Sequence, residues 1–237
     1  MFSFLKRVNK RPRCAALVAA AGSSSRMGGV NKLMEELDGM PVLARTLTAL
    51  ERAELVDEII IATREEEIVT ISELCRTYGI TKCTKVVRGG ESRVHSVMRA
   101  AMEASPKTGF LAVQDGARPL ITDTVIDRTV RAAHTYGAAA PAIPVKDTIK
   151  VVTGGVVKET PDRATLQAVQ TPQVFDFDLL RGALKKAAQD GAAVTDDCSA
   201  VELMGMSVKI VEGDERNIKV TTPMDLKIAK LLLEEMK

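Results

Sequence analysis

The chain has 237 residues, 46% of them hydrophobic, enough for one large domain with a substantial core. Its 33 basic and 31 acidic residues leave a net charge of +2, too small to argue for nucleic acid or an anionic membrane surface as a partner. Aromatic residues make up 3% and Trp is absent, which argues against stacking platforms for single-stranded nucleic acid.

Residues 1–12 place an apolar tip before a basic run, the reverse of a secretory leader, and read as a frayed lead-in to a single domain over 13–237. The run Cys14–Gly22 is too short to span a bilayer. With no targeting segment or membrane span in view, a cytoplasmic protein is expected. Cys14, Cys75, Cys83 and Cys198 show no C-x-x-C spacing and read as reduced, mostly packed thiols. His95 and His134 lie apart on expected helices.

An apolar run from Cys14 to Ala21 reads as a buried parallel strand. Helix is expected over 41–53, strand over 57–62, helix over 65–78 closed by Gly79, and strand over 84–88 closed by Gly89-Gly90. Helix 92–104, strand 110–114, helix 122–136 closed by Gly137, and strand 138–143 follow. This alternation argues for a doubly wound, mostly parallel, Rossmann-like α/β sheet. It then breaks. Asp147 to Glu159 reads as a β-hairpin around Gly154-Gly155, whose Ile149, Val151, Val152, Val156 and Val157 have no evident place in the core. An arm over about 145–165 that packs on a second subunit is one answer, and a hairpin folded back on its own domain is the other. The sheet resumes at 168–171, followed by helix 176–189, a short helix 197–204, strand 207–211 and a last helix 223–236.

Ligands of such sheets bind beyond the carboxyl ends of the strands. Gly22 and the three serines after it, with Arg26 and Lys32, follow the first strand and suit a polyphosphate. No Lys-Ser/Thr pair follows the glycines as in a P-loop, and Ser24 stands where a dinucleotide loop needs its second glycine. After the next strands come Arg88-Gly-Gly-Glu-Ser-Arg-Val-His-Ser96, suited to a base edge or a phosphate, and Gln114-Asp115-Gly116-Ala-Arg-Pro119. Asp115 can ligate Mg²⁺ on nucleotide phosphates, or simply cap the next turn. Lys219 follows the last strand, before the turn into the final helix, and its other reading is an ordinary solvated lysine.

Ala-Ala-Gly-x-x-x-Arg-Met, Gly-Gly-x-x-Arg-x-x-Ser, Asp-Gly-Ala-Arg-Pro, Lys-Asp-Thr-Ile-Lys, Thr-Pro-Gln, Thr-Asp-Asp and Asn-Ile-Lys-Val-Thr occur in that order. The ordered set resembles the 2-C-methyl-D-erythritol 4-phosphate cytidylyltransferases, from about Cys14 to the end. Two departures stand out: Asn31 and Leu33 flank Lys32 where the family usually has Pro and Gln, and Glu91 replaces its usual Asp. The resemblance implies transfer from CTP to a sugar-alcohol phosphate with release of pyrophosphate, Mg²⁺ bound with CTP, and a homodimer whose β-arm completes the partner's site. It implies Arg26, Lys32, Arg163 and Lys219 as catalytic residues, with Arg163 and Lys219 also binding substrate. Ala20, Ala21, Gly22, Ser23, Gly90, Glu91, Ser96, Asp115 and Gly116 would bind the nucleotide, Asp115 would ligate the metal, and Thr148 and Thr195 would contact the sugar. A ribitol 5-phosphate cytidylyltransferase and a non-catalytic nucleotide-binding module on the same fold are the alternatives.

Overall fold

The computed structural model describes residues 11–22 and 31–236. Strand β1 (Arg13–Ala19) lies at the centre of the eight-stranded sheet, because nearly every side chain along it is apolar and small enough to be covered on both faces. Its alternation divides the core. Cys14, Ala16 and Val18 face one apolar layer, while Ala15 and Leu17 face the other. A hairpin of β2 (Glu36–Leu37) and β3 (Met40–Pro41), turning at Asp38-Gly39, precedes helix α1 (Val42–Arg52).

Strand β4 (Glu58–Thr63) runs parallel to β1, and β5 (Cys83–Arg88) parallel to β4. Helix α2 (Ile68–Thr77) connects them after one 3-10 turn over Glu65–Glu67. Helix α3 (Arg93–Met102) then carries the chain back to β6 (Thr108–Asp115), on the opposite side of β1. Sheet order therefore reverses at β1, which opens a crevice at the carboxyl end of that strand. Helix α4 (Asp123–Tyr136) ends at Gly137, whose φ of 80° makes the left-handed cap, and leads into β7 (Ala138–Pro144).

From Pro144 the chain leaves the sheet and rejoins it at Gln167, its antiparallel partner. Between them β8 (Val151–Thr153) and β9 (Val156–Glu159) form a separate two-stranded sheet, turned by Gly154 and Gly155 with φ of 58° and 77°. All seven strand residues are exposed, Val152 at 53% and Val156 at 60%, so the hairpin is not folded back on the core.

Strands β10 (Gln167–Val169) and β11 (Gln173–Asp176) run antiparallel along one edge of β7, while β12 (Lys209–Glu212) runs parallel along its other edge. β11 also pairs with β6, so an antiparallel strand closes the gap inside a mostly parallel sheet. The sequence reading starts a helix at 176 and leaves 173–175 unassigned; those residues form this central strand, and Phe175 is fully buried. Helix α5 (Phe177–Gln189) and the short α6 (Asp197–Glu202) pack with α3 on one face. Helices α1, α2, α4 and the terminal α7 (Pro223–Glu235) cover the other face. No helix among the described residues is long and apolar enough to cross a membrane.

Because Phe175 joins β6, β7 and α5 across the strand that the sequence hides, Phe175→Ala is expected to lower unfolding stability by about 3–5 kcal/mol. Urea titration followed by circular dichroism measures this, and a loss below about 1 kcal/mol contradicts a central position for β11.

Candidate active site

A crevice of about 360 Å³ occupies the reversal point of the sheet. Ala19 to Gly22 leave β1 along its floor, Gly90 to Arg93 and Ser96 form one wall, and Asp115 to Ala117 leave β6 beneath it. Lys32 and Leu33 close one side, and Lys219 the other. Of the expected nucleotide residues, Ala20, Ala21, Gly22, Gly90, Glu91, Ser96, Asp115 and Gly116 are gathered here, together with Lys32 and Lys219. Ser23 and Arg26 lie outside the described residues.

The nucleotide wall is built by close approach. A Cβ at Gly90 would stand 2.4 Å from His95 Cβ, and one at Gly89 would stand 2.7 Å from Ala21 Cβ. Only hydrogen fits at either place, and this lets the backbone before α3 run against the loop after β1. Ser96 Oγ accepts from the Gly90 N–H at 3.0 Å and reaches the Ser92 carbonyl at 2.9 Å, which pins the turn onto the first turn of α3. Opposite, Asn31 replaces the usual proline with a side-chain turn: its Oδ1 accepts from the Leu33 N–H at 3.1 Å and its Nδ2 donates to Glu67. Leu33 is buried in the core, and its carbonyl accepts from Leu43 N–H at 2.9 Å. Asn31 and Leu33 thus anchor the chain on both sides of Lys32.

Asp115 is the electrostatic centre. Its Oδ1 accepts from Arg93 at 2.8 Å, and its Oδ2 meets Lys219 Nζ at 2.9 Å and Arg118 Nε at 3.3 Å. Burial alone would raise its pKa, but Arg93, Lys219 and Arg118 outweigh that and hold it well below the ordinary carboxylate range. Arg93 also binds Asp197 Oδ2 through Nε at 3.2 Å and through its second terminal nitrogen at 2.8 Å. Asp197 shifts the other way: complete burial raises its pKa, and Arg93 pulls it back only in part. The different directions reflect one cation facing Asp197 and three facing Asp115. Behind the crevice Arg118 donates to the Asn217 carbonyl at 2.6 Å. Asn217 in turn donates to Gln170 at 3.2 Å and to the Thr171 carbonyl at 3.1 Å. That buried relay fixes the loop bearing Lys219.

Arg93, Arg118 and Asp197 are absent from the sequence-based site, although each stands inside a quoted motif; the spacing offers no sign that 93 and 197 meet. The expected sugar residues do not join the crevice within this chain. Thr148 and Arg163 lie exposed at the base of the arm, where Arg163 donates to the Lys146 carbonyl at 2.8 Å. Thr195 is exposed before α6.

Asp115, the residue expected beside the metal, stands among cations. Three cations already share its oxygens, and no three His, Cys, Asp or Glu side chains gather as a metal site among the described residues. These residues do not fit a protein-built magnesium site.

A crevice at the sheet reversal with a glycine-lined wall, a buried carboxylate and converging cations is the ligand site of an α/β protein suited to a phosphorylated ligand. The family model described as IspD, 2-C-methyl-D-erythritol 4-phosphate cytidylyltransferase, matches residues 14–235. Enzymes of that name are similar along almost the whole chain. The one from Caldanaerobacter subterraneus subsp. tengcongensis is 42% identical over 93% of this chain and 99% of its own. The one from Bacillus cereus (strain ATCC 14579) is 45% identical over 93% and 98%. Among solved structures, 4-diphosphocytidyl-2C-methyl-D-erythritol synthase from Anaerococcus prevotii superposes with a TM-score of 0.85 at 29% identity, over 94% of this chain and 96% of its own. The chain belongs to the 2-C-methyl-D-erythritol 4-phosphate cytidylyltransferase family.

Asp115 generates a pH prediction. Its folded pKa is depressed, so its stabilisation is complete above the unfolded value of 3.8 and is lost as pH falls below it toward the folded value. Asp115→Asn, which leaves three cations facing one another, is expected to cost about 3 kcal/mol at pH 7. The gap between native and variant should stay constant down to about pH 5 and narrow below pH 4. Denaturant melts across this range read it, and a gap that widens on acidification contradicts the assignment.

Proposed function

We propose that the chain transfers the cytidylyl group of CTP to 2-C-methyl-D-erythritol 4-phosphate, releasing pyrophosphate. The observation that carries this reading is the convergence, in one crevice, of a glycine-built nucleotide wall with Lys32, Lys219 and the Asp115 cluster. A substrate phosphate is already a nucleophile, so the protein needs no Ser, Cys or His nucleophile. Its task is to bring two anions together and to stabilise the charge that grows on the α-phosphate and the leaving pyrophosphate.

Lys32, at the mouth of the crevice, is assigned to the triphosphate, and Arg26 shares that role by family resemblance. Ala20, Ala21, Gly22, Ser23, Gly90, Glu91, Ser96 and Gly116 are assigned to the nucleotide. Lys219, aimed by Asp115, holds the substrate phosphate in line, and Arg163 meets it from the arm. Thr148 and Thr195 are assigned to the rest of the sugar alcohol. Mg²⁺, when bound with CTP, would neutralise part of the triphosphate charge. The soluble substrates and the expected cytoplasmic location agree. Ribitol 5-phosphate would use the same nucleotide wall, and the names of the relatives at 42% and 45% identity favour the methylerythritol substrate.

Thr148 and Arg163 stand on an exposed arm outside the crevice of their own chain, and exposed valines line that arm. The reading therefore includes a homodimer in which each arm serves the partner's crevice. Turnover with CTP, each sugar phosphate and Mg²⁺, followed by pyrophosphate release, tests the reaction. Methylerythritol phosphate should be the better acceptor, and no turnover with either acceptor overturns the reading.

Two further outcomes follow from the roles. Lys32→Ala should lower kcat about 10²–10³-fold, the scale of one lost transition-state donor. Co-expressed Lys32→Ala and Arg163→Ala chains, each nearly inactive alone, should complement. In a mixed dimer one site takes both defects and the other neither, so random pairing leaves roughly a quarter of all sites intact. Activity no higher than the mean of the two variants, with mixed dimers shown by mass spectrometry, rules out a shared site.

A further inference from the structure

We propose that Arg93 is a positioning residue: its guanidinium clamps the nucleotide side of the site to the sugar side and, through Asp115, fixes the ammonium of Lys219. The inference rests on the reading of Lys219 as the holder of the substrate phosphate.

Arg93 opens α3, directly after Gly90–Ser92 in the same wall. Asp197 opens α6, two residues after Thr195 in the sugar-side segment. One guanidinium spans them, donating to Asp115 at 2.8 Å and twice to a single oxygen of Asp197. The far end of the clamp is itself fixed. Gln173 Oε1 accepts from the N–H groups of Asp197 and Cys198, both at 3.0 Å, while its Nε2 donates to Asp196 at 2.7 Å. With Oδ1 of Asp115 committed to Arg93, Oδ2 is directed at Lys219 and Arg118.

Charge alone does not account for Arg93. Arg118 and Lys219 already supply two cations to one carboxylate, and a third adds repulsion. Asp197 removes that excess, so Arg93 and Asp197 enter as a neutral pair that adds geometry. A planar fork suits the task, because a lysine ammonium cannot address two carboxylates with fixed directions. Desolvation works against the Arg93 charge, but Asp197 and Asp115 outweigh it and keep the group firmly protonated.

The test is a kinetic cycle with CTP and methylerythritol phosphate. Arg93→Met alone strands the buried Asp197 charge and risks unfolding, so Arg93→Met/Asp197→Asn, which removes both charges, is the working variant, its folding checked by thermal melt. We expect kcat to fall about 10- to 100-fold and Arg93→Lys to recover less than a third of the loss. In a Lys219→Ala background the same pair of changes should alter kcat less than twofold, because residues acting as one unit are not additive. A merely structural defect would multiply with Lys219→Ala instead. Native kcat in the double variant, near-full activity of Arg93→Lys, or the same fold-loss with and without Lys219 overturns the clamp. Native-like turnover of Lys219→Ala itself overturns the reading of Lys219, and the clamp with it. A defective Lys219→Ala with multiplicative losses overturns the clamp alone.

Discussion

Everything near the crevice is arranged around the cost of burying one carboxylate. Asp115 sits at the end of a strand covered on both faces, where an isolated charge is expensive. Cations from three separate stretches meet it: Arg93 from the start of α3, Arg118 from the turn after β6, and Lys219 from the loop before α7. Each contact also fixes a loop in space. The same cations would repel one another without the acid, so it lets positive charge collect where two anionic substrates must approach.

The position of that charge follows from topology. Strands β4 and β5 build outward on one side of β1, and the chain then crosses to β6 on the other. The loops after β1 and β6 consequently part, and the reversal leaves space that no helix fills. Gly89 brings the wall within reach of Ala21 and Gly90 lets the turn close onto His95, so backbone lines much of the floor and wall of the crevice. A polyphosphate or a base edge can then be met by N–H and C=O groups whose positions are set by the sheet.

Much of this was legible in the residues. Apolar runs with β-branched side chains located β1, β4 and β6, and glycine stops located the ends of α2 and α4. Gly154-Gly155 announced the hairpin, while its valines left open whether it packs on a partner or on its own domain; their exposure decides against the second. Strand β11 was hidden because Thr171-Pro172-Gln173 reads as a turn and only Val174 and Phe175 carry a strand signal. The hairpin at Asp38-Gly39 was hidden because two-residue strands leave no periodicity. At the site, residue types were readable but pairings were not. Nothing in the spacing links Arg93 to Asp197, more than a hundred positions away, or shows that Gln173 caps α6 between them.

The split between what this chain completes and what it leaves open is itself informative. The nucleotide residues are drawn together by the sheet, and their partners are buried hydrogen bonds and ion pairs. The residues assigned to the sugar phosphate are carried on exposed segments: Thr148 and Arg163 flank the arm, and Thr195 precedes α6. Of the residues assigned to the substrate phosphate and sugar, Lys219 alone lines the crevice, tied to Asp115 at 2.9 Å while 41% of its side chain remains exposed. A base can be read by rigid backbone already in place. A second anion must be admitted beside the first, which favours cations that approach from the rim over cations buried beneath the nucleotide. Lys219, fixed at one side by a buried acid and open to solvent on the other, is where those two requirements meet.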